Sequence, residues 1–80
     1  MLDKEKVRLI WKCRRGMLEL DLILQRFVRN KLHQLTKKQL KAFDDLLNCH
    51  DPELFAWFMG HEVPQDEESA EIVSLIKNDN

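Results

Sequence analysis

Apolar residues recur every three or four positions along most of this chain, which is the period of one face of an α-helix. The longest such series begins at Met17 and continues for about four turns, through Leu20, Ile23, Leu24, Phe27, Val28 and Leu32. A shorter series, Val7, Ile10 and Trp11, predicts a first helix over roughly residues 3–14. Since β-branched residues are scattered and turn signals are sparse, the pattern predicts an all-α fold.

Capping signals divide the second half of the chain into three more helices. Thr36 and Gln39 have the spacing of a capping box and precede a third apolar face. Asp51 followed by Pro52 is typical of a helix N-cap and first helical position, and predicts a fourth helix. After a break marked by a glycine and a proline, three acidic residues at 66–68 suit the positive end of a fifth helix. We therefore expect a compact bundle of five short helices, forming a single domain over residues 1–80.

Charge is divided unevenly between the two halves of the chain. Residues 1–41 contain twelve Lys and Arg against four Asp and Glu, a net charge of +8, whereas residues 42–80 contain one against ten, a net charge of −9. A basic half can attract a phosphate backbone, but an acidic half of equal size weakens that attraction. We expect a dipolar domain that docks on a protein and binds no nucleic acid. A helical domain that binds RNA or DNA is the alternative.

The chain offers little for catalysis, metal binding or membrane insertion. Cys13 and Cys49 form no CxxC pair, and the histidines lack the paired spacing that places two ligands on one metal. Cys49 and His50 are neighbours in sequence without a third group to orient a base, so we expect reduced structural thiols and no enzyme. No apolar run reaches the roughly 20 residues that cross a bilayer, and the N-terminus resembles neither a signal nor a transit peptide. These features predict a cytoplasmic protein.

The stretch RRGMLELD, residues 14–21, is not fully explained by local structure. Gly16 suits a left-handed joint between the first two helices, while Glu19 and Asp21 suit the N-terminus of the second. Arg15, Gly16 and Glu19 also place a cation, a position without a side chain and an anion at one bend. A partner's backbone or a flat ring could approach such a bend closely. We therefore predict a contact site for a partner here.

Residues around this bend extend the predicted contact site. Leu18 and Leu22 fall off the main apolar stripe of the second helix, which predicts an exposed apolar patch. Met17 lies directly between the bend and this patch. Three basic residues nearby either steer an acidic partner surface or form an ordinary solvated helix face: Arg8, Lys12 and Arg14.

The segment Arg15-Gly16-Met17-Leu18-Glu19 matches the RGxxE motif of the small succinate dehydrogenase assembly factors, also called flavinylation factors. The resemblance extends through WKCRRGMLELD, through LLNCHDPELFAWFMGHEVP at 46–64 and through the closing EIVSLIKN, and so covers nearly the whole chain. These segments resemble the bacterial branch, and we expect no transit peptide of the kind that distinguishes the mitochondrial form.

The resemblance implies a chaperone for the flavoprotein subunit of succinate dehydrogenase and, in some bacteria, of fumarate reductase. Such a factor binds the immature flavoprotein and promotes covalent attachment of FAD to a histidine of this client. We hypothesise that Gly16 permits close approach to the client near its FAD site, while Arg15 and Glu19 fix the orientation through charge-assisted contacts. In such a complex the three basic residues near the bend could steer an acidic client surface or meet the FAD pyrophosphate. We expect the factor to bind no FAD tightly itself and to be a monomer when free. The alternative is an antitoxin of a toxin–antitoxin pair, a role also described for this family.

Overall fold

Five α-helices make up the part of the chain that the computed structural model describes, residues 4–78. They are α1 (Lys4–Lys12), α2 (Leu18–Lys31), α3 (Lys37–Leu47), α4 (Asp51–Phe58) and α5 (Glu67–Lys77), and a 3-10 turn (Leu32–Gln34) follows α2. No strand occurs between residues 4 and 78. The predicted all-α fold with five helices is confirmed.

Local hydrogen bonds fix the beginnings of α3 and α5. The Thr36 hydroxyl accepts a hydrogen bond from the Gln39 backbone N–H at 3.1 Å, and the Gln39 side chain accepts one from the Thr36 N–H at 2.9 Å. This is the predicted capping box. At α5, the Asp66 carboxylate accepts from the backbone N–H of Ser69 at 2.9 Å and caps the helix in the same way.

The start of α4 differs from the prediction by one residue. His50 occupies the N-cap position, its side chain makes no capping hydrogen bond, and Asp51 is the first helical residue. The prediction of Asp51 as the N-cap was therefore wrong. The physical reason is that the Asp51 carboxylate is bonded to Arg15, on the far side of the α3–α4 corner, and so serves a contact between distant segments.

The core lies where α2, α3, α4 and α5 meet. Phe27 of α2 and Phe43 of α3 pack edge to face with ring centroids 5.3 Å apart, and both are fully buried. The other buried side chains of these four helices are Leu20, Leu24, Leu40, Ala42, Leu46, Leu47, Leu54, Phe58, Ile72, Val73 and Ile76. Since they follow the predicted apolar faces, the order and packing sides of these helices are as the sequence indicates.

The buried side of α1 was predicted wrongly. Leu9 is completely buried, and so is Cys13 just beyond the helix end, whereas Val7 and Trp11 are exposed, Trp11 to 66 %. Only Ile10 of the predicted face packs against the core. The helix is rotated from the predicted orientation because Leu9 and Cys13, which lie four positions apart on one helical face, pack into the core. α1 also ends at Lys12, earlier than expected, and its predicted start at residue 3 lies outside the described residues.

Candidate functional site

The bend between α1 and α2 carries the residues singled out from the sequence. Gly16 has a φ of +84°, the left-handed region that favours glycine, as predicted. It lies four residues beyond the end of α1 and is exposed, so it shapes the connection rather than the helix terminus. A Cβ atom added to Gly16 would meet no atom within 4 Å. The space in front of Gly16 is therefore open to a partner.

The Arg15 side chain points into the protein and bonds four acceptors. Its Nε donates to the Asp51 carboxylate at 2.8 Å, and Nη2 donates to the Cys49 carbonyl at 2.7 Å. Its Nη1 donates to the carbonyls of Leu47 at 2.7 Å and Lys12 at 3.1 Å. Only 15 % of this side chain is exposed. Arg15 thus joins the bend to the corner between α3 and α4.

The backbone of the bend is held from its other side by Asp21. The Asp21 carboxylate accepts a hydrogen bond from the Arg15 backbone N–H at 2.8 Å, and the Asp21 N–H donates to the Met17 carbonyl at 2.9 Å. The Met17 side chain is half-buried and packs against the core. Arg15, Met17 and Asp21, all predicted as partner contacts, therefore make contacts within the chain itself.

The outward side of the same bend presents one acidic and two apolar residues. Glu19 is exposed, and its carboxylate makes no hydrogen bond or ion pair with the side chains that the structure describes. Leu18 is 70 % exposed and Leu22 is 55 % exposed, which confirms the predicted apolar patch. With Gly16, these residues form the outer face of the bend, which we define as Gly16, Leu18, Glu19 and Leu22.

Two of the three predicted basic residues meet an acid of α3. Lys12 forms an ion pair with Asp44 and donates to the Asn48 side chain at 2.8 Å, while Arg8 lies 3.1 Å from the Asp44 carboxylate. The hydrogen bond from Lys12 lowers the pKa of Asp44. The third, Arg14, is exposed and lies over the Trp11 ring at 5.1 Å from its centroid. Arg14 and the largely exposed Arg8 remain accessible to a partner.

Neither thiol is arranged for nucleophilic chemistry. Burial raises the pKa of the Cys13 thiol to about 12. Burial, and then the charge of Glu53, raises the pKa of Cys49. Thiols of this kind are protonated at neutral pH and react slowly.

The described residues contain no prepared metal site, and a groove between their first two helices is small. No three His, Cys, Asp or Glu side chains among them converge to hold a metal ion. A groove of about 280 Å³ between α1 and α2, lined by Ile10, Val28 and neighbouring polar residues, is small and open for a dinucleotide. Within residues 4–78, no helix combines the length and apolar character needed to cross a membrane.

Sequence reasoning missed Asp51 and Asp44 as parts of this region. Asp51 was assigned to a helix cap, and no role was predicted for Asp44. Both are acids that meet a basic residue more than thirty positions earlier in the chain. No local pattern signals such pairs; only the helix order, which brings the α3–α4 corner beside the bend, could have suggested them.

The open bend, with an exposed acid and exposed apolar side chains, is a surface of this small helical body that a partner protein could contact. A family model described as "Flavinator of succinate dehydrogenase" matches residues 7–80. The chain belongs to this family, whose members are assembly factors and not catalysts.

Individual relatives match over nearly the whole chain. The "FAD assembly factor SdhE" of Legionella pneumophila (strain Lens) is 62 % identical over 78 residues, which cover 98 % of each chain. The protein of the same description from Coxiella burnetii is 45 % identical over 76 residues, covering 95 % of this chain and 90 % of the relative. A solution structure titled "UPF0350 protein" superimposes with a TM-score of 0.78 at 40 % identity, covering 95 % of this chain and 82 % of that one. The family is thus supported by both sequence and fold.

Proposed function

We propose that this protein, acting as one domain over residues 1–80, binds the immature flavoprotein subunit of succinate dehydrogenase and promotes covalent attachment of FAD to it. The observation that carries this proposal is the open, left-handed Gly16 on a bend whose outer face carries Glu19 and exposed leucines. This arrangement suits the close approach of another polypeptide, and membership of the flavinator family supplies the client.

The factor acts by ordering its client. Covalent flavinylation joins a histidine of the client to the flavin, and its rate depends on how these two groups are held. Holding reacting groups in a near-attack arrangement contributes roughly 7–11 kcal/mol in favourable intramolecular cases. The factor itself has no nucleophile with a lowered pKa among its described thiols, so its contribution is to position the client's own groups.

The residues of the bend divide into two roles. Gly16, Leu18 and Glu19 face outward and contact the client, with Glu19 making a charge-assisted contact. Arg15 and Asp21 bond within the chain and hold the bend in shape. The sequence-based hypothesis of a direct Arg15 contact with the client is therefore replaced by a supporting role. Exposed Arg8 and Arg14, with Lys12 beside them, steer an acidic client surface towards the bend.

The cofactor and the setting follow from the same proposal. FAD resides on the client, a placement supported by the small, open groove between α1 and α2. The flavoprotein subunit of fumarate reductase is a second client of the same chemistry. We place the encounter in the cytoplasm, with the factor a monomer when free and without nucleic acid as a partner.

Gly16 can be tested against a matched control, Gly60. Both glycines have a positive φ, +84° and +80°, and a Cβ on Gly60 would lie 3.5 Å from the flexible end of Lys77. Gly16→Gln and Gly60→Gln therefore carry a similar backbone strain of about 1–2 kcal/mol. Only Gly16→Gln fills the space before the outer face. We expect it to abolish client capture and flavin fluorescence of the denatured client, while Gly60→Gln preserves both.

The same assay includes Glu19→Ala, which removes the exposed charge and leaves the backbone unchanged. We expect reduced client capture and reduced flavin fluorescence, in cells that lack the wild-type factor. Folded Gly16→Gln and Glu19→Ala proteins that restore flavinylation fully would show that the bend is not the docking site.

A further inference from the structure

We propose that Asp51 is a positioning residue for client docking, and that it acts through Arg15 without touching the client. This inference rests on the proposed function, since it assigns the residue that sets the shape of the docking bend. Asp51 lies outside the RGxxE segment by more than thirty residues, yet its carboxylate is 2.8 Å from Arg15 Nε.

Hydrogen-bond acceptors at the α3–α4 corner bind the Arg15 guanidinium. α3 ends at Leu47, and the last carbonyls of a helix have no partner within the helix and lie at its negative end. The carbonyls of Leu47 and Cys49 accept two Arg15 hydrogen bonds at 2.7 Å, and Asp51 supplies the full negative charge. With the Lys12 carbonyl, they satisfy four of the five N–H groups of the guanidinium.

Asp51 fixes the direction of the guanidinium plane. The carbonyl contacts all involve the two terminal nitrogens, whereas Asp51 alone bonds Nε, the nitrogen nearest the backbone. A planar group held at both its tip and its base cannot swing or rotate. Asp21 holds the Arg15 backbone N–H as well, so the residue directly before Gly16 is fixed at both side chain and backbone.

The contacts that fix Arg15 matter for docking because the next residue, Gly16, has unusual conformational freedom. A glycine in an exposed connection samples many backbone states unless its neighbours restrict it. A partner that needs one of those states binds more tightly when the free protein already holds it. Asp51 therefore contributes to client affinity by keeping the Gly16 bend in its bound shape before the client arrives.

The test compares two acids of the same helical turn. Asp51 and Glu53 both lie in the first turn of α4, so Asp51→Ala and Glu53→Ala remove the same charge from the same helix end. We expect Asp51→Ala to weaken affinity for the FAD-free flavoprotein subunit about tenfold, the loss of one ordering contact. We expect Glu53→Ala to leave affinity unchanged, and Asp51→Asn, which keeps an acceptor oxygen, to recover part of the loss.

A purely structural role predicts a different pattern. It would lower the fraction of folded factor, seen by circular dichroism and as a reduced number of binding sites in the titration, without changing the dissociation constant of the folded molecules. If Asp51 is a positioning residue, Asp51→Ala raises the dissociation constant for the client. The rate of FAD attachment at saturating factor then stays as in the wild type. In the Asp51→Ala protein we also expect faster hydrogen exchange of the Arg15 amide, which donates to the Asp21 carboxylate in the bend.

A double variant separates action through Arg15 from direct contact. In an Arg15→Met background, measured at a temperature where that protein is folded, Asp51→Ala should have no further effect on affinity. A full additional loss there, or wild-type affinity in the single Asp51→Ala variant, overturns the positioning role. Should Gly16→Gln bind normally, the proposed function itself fails; should Gly16→Gln lose binding while Asp51→Ala does not, only the positioning role falls.

Discussion

Replacing Arg15 with methionine is expected to destabilise the protein by about 3–5 kcal/mol, the cost of removing one partner from a largely enclosed ion pair. Arg15 is 15 % exposed and gives four hydrogen bonds, two of them to carbonyls at the end of α3. Methionine preserves much of the side-chain volume but leaves those carbonyls and Asp51 without their donor. The free energy of unfolding of a domain of this length is roughly 4–12 kcal/mol, so Arg15→Met removes a large share of the stability.

The neighbouring arginine provides the control. Arg14 is exposed and its guanidinium lies over the Trp11 ring, so Arg14→Met should cost less than about 1 kcal/mol. Urea unfolding followed by circular dichroism measures the free energy of unfolding of both variants. The Tm of Arg15→Met should be lower than that of the wild type by about 12 °C or more. Equal losses for the two variants, or a loss below about 1 kcal/mol for Arg15→Met, would refute the internal role of Arg15.

Two further predictions concern pH. The folded-state pKa of Cys13 is raised from 9.0 to about 12, so its stabilising effect is complete below pH 9 and is lost as the pH rises towards 12. The free energy of unfolding should fall in that range by about 1.4 kcal/mol per pH unit more in the wild type than in Cys13→Ala, and equal slopes would contradict it. The folded-state pKa of Asp44 is lowered by Lys12, so its contribution is present at neutral pH and lost as the pH falls below about 4. Asp44→Asn should therefore flatten the acid side of the stability profile, measured by urea titration at pH 2–6, and an unchanged acid slope would argue against the ion pair.

The helix order was predictable because it is encoded locally. The Thr36 capping box and the periodic face behind it place α3 without any knowledge of the rest of the chain. The rotation of α1 was not predictable in this way. Leu9 and Cys13, four positions apart, also share a helical face, and only the packing of α1 on the rest of the protein decides that this face is buried while Val7 and Trp11 face the solvent.

The candidate site was predictable in outline. The left-handed Gly16 and the exposed leucines of α2 follow from residue type and helical period. The direction of the Arg15 side chain does not, because a charged residue at a bend suits solvent or a partner equally well in the sequence. Only the corner that brings Asp51 beside Arg15 decides it, and that corner is a product of the tertiary fold.

The exposure of Trp11 gives the protein an optical reporter of its own. Trp11 lies on the solvent side of α1, near the bend in sequence, whereas Trp57 is half-buried against the core. Indole emission shifts to shorter wavelength when water around the ring is replaced by protein. A client that covers α1 would therefore shift the emission of Trp11 to shorter wavelength, while the emission wavelength of Trp57 would stay constant. Encounter and release of the client could then be followed in time without attaching a dye.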